Sequence, residues 1–129
     1  KLSVLSVLLC ALSNSHFSVF LQKGTLPPLL LDKPTLKSIS LNNCSFTGAI
    51  PTELGLLTAA SVLRLQNNQL SSTIPTEMGL MANLSKWFRL ENNFLNGNIP
   101  SELGHLKRLR HLRLHFNNLS GPLPTELGL

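Results

Sequence analysis

Apolar residues in this chain recur as one phrase. Its cleanest copy is Leu109, Leu112 and Leu114, then Asn117, Leu119, Gly121, Leu123 and Pro124. An earlier copy runs Leu36, Ile39, Leu41, Cys44, Phe46, Gly48, Ile50 and Pro51. The next has Ala60, Leu63, Leu65, Asn68, Leu70, Ser72, Ile74 and Pro75, and another has Phe88, Leu90, Asn93, Leu95, Gly97, Ile99 and Pro100. Within each, the x-x-L-x-L-x-x stretch alternates apolar and polar residues, which predicts a short strand with one buried face. The Asn that follows predicts a bend, with its side-chain amide satisfying backbone groups inside. Stacked copies of Asn68, Asn93 and Asn117 then make an internal ladder. Gly permits a tight path before the Ile-Pro pair. Pro cannot donate to a central ladder, so that segment reads as an edge-like or irregular stretch on the far side.

The copies are in register. Pro27, Pro51, Pro75, Pro100 and Pro124 stand at intervals of 24, 24, 25 and 24, and one extra residue near Leu84–Trp87 accounts for the 25. Four of these prolines open a second phrase: Thr52-Glu53-Leu54-Gly55, Thr76-Glu77-Met78-Gly79, Ser101-Glu102-Leu103-Gly104 and Thr125-Glu126-Leu127-Gly128. One such unit cannot bury its leucines alone, but stacked units form a continuous core, with about three needed for stability. Leucine supplies 31 of the 129 residues, as a repeated core environment requires.

This pattern closely resembles the leucine-rich repeat family in its 24-residue form, found in plant receptor ectodomains, secreted plant proteins and algal proteins. The resemblance covers Leu12 to Leu129. It implies an α/β solenoid: a right-handed coil with short parallel strands on a concave face and irregular or 3-10 segments on the convex face. It divides the chain into an apolar N-terminal segment, 1–11, and an array of about five repeats, 12–129. Within the family Cys stands in for Asn in the ladder, so Cys44 is expected as its first rung, a buried side chain.

The first unit is worn: Leu12, Ser15, Phe17, Phe20, Gln22, Gly24, Leu26 and Pro27, with Phe20 where the ladder wants Asn. Residues 1–20 fit either a secretory signal peptide that has lost its Met or a degenerate capping coil. The chain opens on Lys1 and stops in mid-repeat at Leu129, as expected of a piece of a longer protein. Two cysteines, Cys10 and Cys44, are too few for a disulfide framework, and their different coil positions argue against a bridge between them. Asn43, Asn83 and Asn118 begin Asn-x-Ser sequons and are candidate glycosylation sites, weak support for the secretory pathway. No apolar run is long enough for a transmembrane helix.

No catalytic constellation or cofactor motif is present, and no metal site is expected. His111 and His115 lie on a predicted strand, about 13 Å apart at ~3.3 Å per residue, too far to share an ion. The glutamates of the second phrase recur once per coil and read as a solvated acidic rim.

Eleven Lys and Arg against six Asp and Glu give a formal charge of +5 and a pI near 9.8. The resemblance places the x residues of the strand phrase on the concave face. Its central position reads His16, Ser40, Arg64, Arg89 and Arg113, a column of three successive arginines about 4.8 Å apart. An anionic partner would relieve their repulsion; long solvated side chains that splay apart and are screened by salt would relieve it without one. Val62, Gln66 and Glu91 occupy further outward positions. Candidate partner-binding residues are Arg64, Arg89, Arg113, Lys86, Trp87, Arg110, His111 and His115, with Phe116 as a second aromatic. Few aromatics and no known motif argue against nucleic acid.

Three functions follow. The first is a non-enzymatic scaffold that binds a protein or peptide, acidic in character, on the concave face. The second is an accessory subunit docked in a larger membrane or organellar complex. The third is a piece of a receptor-kinase ectodomain. The compartment expected is secretory or extracellular, with an organelle lumen as the alternative.

Overall fold

Each apolar triplet makes a strand of three residues and hands the chain to a turn. The computed structural model describes residues 11–12, 16–18, 24–26 and 31–128. The inner sheet is β1 (Ala11–Leu12), β2 (His16–Ser18), β3 (Ser38–Ser40), β5 (Val62–Arg64), β7 (Trp87–Arg89) and β9 (His111–Arg113). The strands lie in that order, β1 and β2 antiparallel and the rest parallel. Register sets Ile39 beside Leu63, Leu63 beside Phe88 and Phe88 beside Leu112. Ile39, Leu63 and Phe88 are wholly buried, and Leu112 at the end of the stack is half-buried.

The stretch before each proline is more ordered than its composition suggests. β4 (Thr47–Ala49), β6 (Gln69–Thr73), β8 (Phe94–Asn98) and β10 (Asn118–Ser120) form a second parallel sheet. Proline lies just past each strand, where it removes no ladder bond. Here Gly48 pairs Leu70 and Gly97 pairs Leu119, 22 residues apart, whereas inner-sheet partners such as Ile39 and Leu63 are 24 apart. Each coil therefore slides by two residues against its neighbour on this side.

After the prolines come 3-10 helices at Thr52–Leu56, Thr76–Leu80, Ser101–His105 and Thr125–Leu127. Proline suits this place, because its fixed φ is pre-set for the turn and its missing N–H is no loss there. The Glu-Leu-Gly phrase has a steric cause. A Cβ on Gly55, Gly79 or Gly104 would stand closer than 3.0 Å to the backbone of Glu77, Glu102 or Glu126 in the next coil. Only glycine lets the coils close. Of these glutamates Glu53 and Glu126 are exposed, but Glu77 and Glu102 are half-buried between coils, so the rim is less solvated than expected.

The extra residue in the 25-residue interval is absorbed at the strand entry. The Ser85 and Lys86 amides both donate to the Ser61 carbonyl, at 3.2 and 3.0 Å. The first unit departs from its sequence register. Phe17 pairs Ile39 and His16 pairs Ser38, so His16 is not in the arginine column; Ser18 is the residue beside Ser40. The first coil is two residues shorter between strand and proline than its neighbours, which shifts the triplet. Residues 1–10, including Cys10, and residue 20 lie outside the described residues.

Candidate functional site

Two ladders hold the rim of the inner sheet. In the buried one, Asn68 Oδ1 accepts from the Cys44 and Phe46 amides at 3.1 and 3.0 Å, and its Nδ2 donates to the Leu41 and Leu65 carbonyls at 2.8 Å. Asn93 accepts from the Leu70 amide and donates to the Leu65 and Leu90 carbonyls, all at 3.0 Å. Asn117 repeats the pattern one coil on, accepting from the Leu95 amide. Cys44 takes the first rung, buried, with Sγ 3.1 Å from the Asn42 carbonyl.

A second ladder runs outside it, one residue earlier. Asn67 Nδ2 donates to Asn43 Oδ1 and Asn92 Nδ2 to Asn67 Oδ1, each at 2.8 Å. Asn43, Asn67 and Asn92 all have φ between 58° and 60°, a left-handed conformation that Asn tolerates. The fourth residue in this column is Phe116, with φ of 53° and 75% exposed. Paired asparagines in the sequence carried the signal for this ladder, but only the buried rung was legible there.

The inner sheet presents Trp87, Arg89, His111 and Arg113 side by side. Trp87 and His111 are cross-strand partners, and so are Arg89 and Arg113, and Arg64 and Arg89. Trp87, at the insertion, is half-buried on the sheet face. Its ring stacks on His111 with centroids 4.1 Å apart and 19° between planes. The Arg113 guanidinium lies 5.2 Å from the Trp87 centroid and that of Arg89 6.0 Å, within cation–π range. His115 meets Phe116 edge to face at 5.1 Å. Lys86 and Arg110, one residue before Trp87 and His111, are exposed at the edge of this group.

The arginine column is not the row of free cations that the spacing suggests. Glu91, expected to face solvent, is 2% exposed, and Arg89 Nε donates to its Oε1 at 2.7 Å. Arg89 Nη2 reaches the same oxygen. Among the described residues this is the one ion pair. Arg89 is thus largely neutralised and partly buried, while Arg64 is half-buried and Arg113 exposed. Val62 and Gln66, also expected outward, are buried at 7% and 5% exposure. Val62 lies beside Trp87 of the next coil, a large neighbour at a position that repeat spacing alone reads as open.

All three sequon asparagines are exposed. Asn43 is tied into the outer ladder, whereas Asn83 donates to the Thr58 carbonyl at 2.9 Å and accepts from Arg108 Nη1 at 3.2 Å. Arg108 was not among the sequence candidates. Among the described residues, no helix is long and apolar enough to cross a membrane.

The family model described as Leucine Rich Repeat matches residues 35–57, 61–81, 86–106 and 108–129. A search of curated proteins finds no match. Among solved structures, the ectodomain of the plant membrane receptor kinase GASSHO1/SCHENGEN3 from Arabidopsis thaliana, in complex with CASPARIAN STRIP INTEGRITY FACTOR 2, is 34% identical with a TM-score of 0.84. That match covers 88% of this chain and 14% of the receptor chain. The Arabidopsis receptor kinase HAESA, in complex with the peptide hormone IDA and the co-receptor SERK1, is 32% identical with a TM-score of 0.81, covering 88% of this chain and 20% of that one. A plant ice-binding protein is 30% identical with a TM-score of 0.73, covering 81% of this chain and 34% of that one. The chain thus spans a small part of the receptors' length, and one coil architecture serves unlike ligands, so function must be argued from the site.

Proposed function

Because the chain belongs to the leucine-rich repeat family, we propose that it is a non-enzymatic recognition scaffold whose inner sheet binds a peptide or extended protein segment of acidic character. The observation that carries this reading is the Trp87–His111 stack with Arg113 beside it. A large aromatic held by neighbours and flanked by cations is the composition of an interface anchor. Arg64 and Arg113 supply positive charge on either side of the neutralised Arg89. Arg113, Lys86, Arg110, His111 and His115 are exposed, so a ligand lying across the strands meets cations on successive coils. The likeness to HAESA, solved with a peptide hormone, supports a peptide partner and an extracellular or secretory setting. It also supports the chain as part of a receptor ectodomain. A docked accessory subunit would instead use the ends of the stack, where Leu123 is 61% exposed.

The test is selection from a random peptide library against the immobilised chain. Enriched peptides are expected to be acidic, and Trp87→Ala and Arg113→Gln should each weaken them by about tenfold or more. Peptides that bind both variants as they bind the native chain would overturn the concave-face reading. Loss of binding on Leu123→Ser alone would favour the docked subunit.

A further inference from the structure

Charge is distributed unevenly around each coil. No Asp, Glu, Lys, Arg or His occurs in residues 42–52, 66–76, 92–101 or 116–125, in a chain whose formal charge is +5. These stretches are the same sector of four successive coils, and they contain the whole second sheet, β4, β6, β8 and β10. Leu70 and Leu95 are buried beneath it, and alternate residues of the strands face outward. Register aligns these across coils: Ala49, Ser71 and Phe94 make one row, and Thr73, Asn96 and Asn118 another.

The face is flat for a steric reason. A Cβ on Gly97 would stand 2.9 Å from Thr73 Cγ2, and one on Gly121 would stand 2.4 Å from Asn98 Oδ1. Thr73 and Asn98 therefore lie over the bare backbone of the next coil instead of projecting. Phe94, 57% exposed, is the one aromatic residue of the sheet.

This composition selects among partners. Without cations or carboxylates the face offers nothing to an ionic ligand. A second copy laid against it would desolvate hydroxyls and carboxamides on both sides, with little apolar area in return. An ice lattice calls for one residue repeated at every node, whereas the rows read Ala-Ser-Phe and Thr-Asn-Asn. A neutral polysaccharide meets each feature. Its hydroxyls donate and accept, as the Ser, Thr and Asn side chains do. Its sugar rings present C–H groups that suit the negative face of an aromatic ring. It repeats along its length, as the coils do.

We propose that the second sheet is a binding face for an uncharged polysaccharide, with Phe94 as the stacking platform and Thr73, Asn96 and Asn118 as hydrogen-bonding groups. The face shares no residue with the Trp87 anchor of the inner sheet, so either can fail alone.

Cellohexaose, laminarihexaose and hexagalacturonate, titrated separately into the full chain, test this. The chain is made without glycosylation, which leaves Asn118 bare. The readout is the NMR shift of the Ser71, Thr73 and Asn96 amides. At least one of the two neutral sugars should shift them, with an affinity unchanged between low salt and about 0.5 M salt. Hexagalacturonate should leave them in place. Phe94→Ala should weaken the neutral sugar by about tenfold and Asn96→Ala by several-fold, while Trp87→Ala binds as the native chain does. Both altered side chains are exposed, so thermal melts of the variants should match the native one. Absence of shifts with both neutral sugars, equal shifts with hexagalacturonate, or undiminished affinity in Phe94→Ala and Asn96→Ala overturns the proposal. A dimer that Phe94→Ala dissolves would assign the face to a second copy instead, and thermal hysteresis that Asn96→Ala abolishes would assign it to ice.

Discussion

Arg89 and Glu91 clasp each other on one face of the inner sheet, with Arg89 Nε 2.7 Å from Glu91 Oε1. Residues two apart on a strand point the same way, which brings them together. Glu91 is nearly inaccessible, and its other oxygen, Oε2, has no hydrogen-bond partner. Its burial is therefore tolerable chiefly through the arginine. Removing one partner of a buried pair costs more than the pair contributes.

Arg89→Gln is accordingly expected to destabilise the chain by about 1–3 kcal/mol, because it strands a buried carboxylate. Arg64→Gln should fall within about 0.5 kcal/mol of native. Adding Glu91→Gln to Arg89→Gln should restore part of the loss. Urea denaturation of the four proteins checks this, and equal small effects at the two arginines would contradict the clasp.

Asn93 and Asn92 separate two kinds of ladder. Asn93→Ala removes a side chain that serves four backbone groups, and is expected to cost about 1–3 kcal/mol. Asn92 is exposed, but it donates to Asn67 and sits at φ 58°. Asn92→Ala therefore costs something, and Asn92→Gly should recover the backbone part of it. Thermal melts should rank native, Asn92→Gly, Asn92→Ala and Asn93→Ala in falling stability.

Gly79→Ala tests the contact between coils. The added methyl meets the Glu102 backbone closer than 3.0 Å, and a backbone cannot swing aside as a side chain can. Such overpacking is expected to cost about 1–3 kcal/mol or more. Gly128→Ala provides the contrast in space, since nothing lies within 4 Å of its Cβ. Its φ of 71° still penalises alanine, so its loss should be the smaller one. A Gly79→Ala protein as stable as native would show that the coils are not so tightly apposed.

The repeat was legible because its apolar triplets, prolines and ladder asparagines return at nearly constant spacing, and stacking makes each copy reinforce the others. The second sheet was not. Thr47-Gly48-Ala49 and Phe94–Asn98 have little intrinsic strand character, and they pair because coil stacking holds identical backbones side by side. Repeat spacing also says which residues alternate outward but not how deep they end. Gln66 and Glu91 sink because of what their neighbours cover, a matter of three-dimensional packing. The interval of 25 revealed an insertion, yet only the shared Ser61 carbonyl shows how the chain absorbs it.

Phe116 stands where the outer ladder would place its next asparagine. Its φ of 53° is unfavourable for a bulky side chain, and 75% exposure means that little burial compensates. Phe116→Asn should relieve that strain and offer Nδ2 to Asn92 Oδ1, stabilising the chain by roughly 1 kcal/mol. A residue kept at such a cost on the edge of the inner sheet is expected to serve the ligand, by packing against it beside His115. The same variant should therefore weaken the acidic peptides selected on the inner sheet by several-fold. Calorimetric unfolding and peptide titration of the one variant check both halves. A stabilised protein with undiminished peptide affinity would mean that Phe116 takes no part in recognition, while a destabilised one would mean that the outer ladder ends at Asn92 for a steric reason.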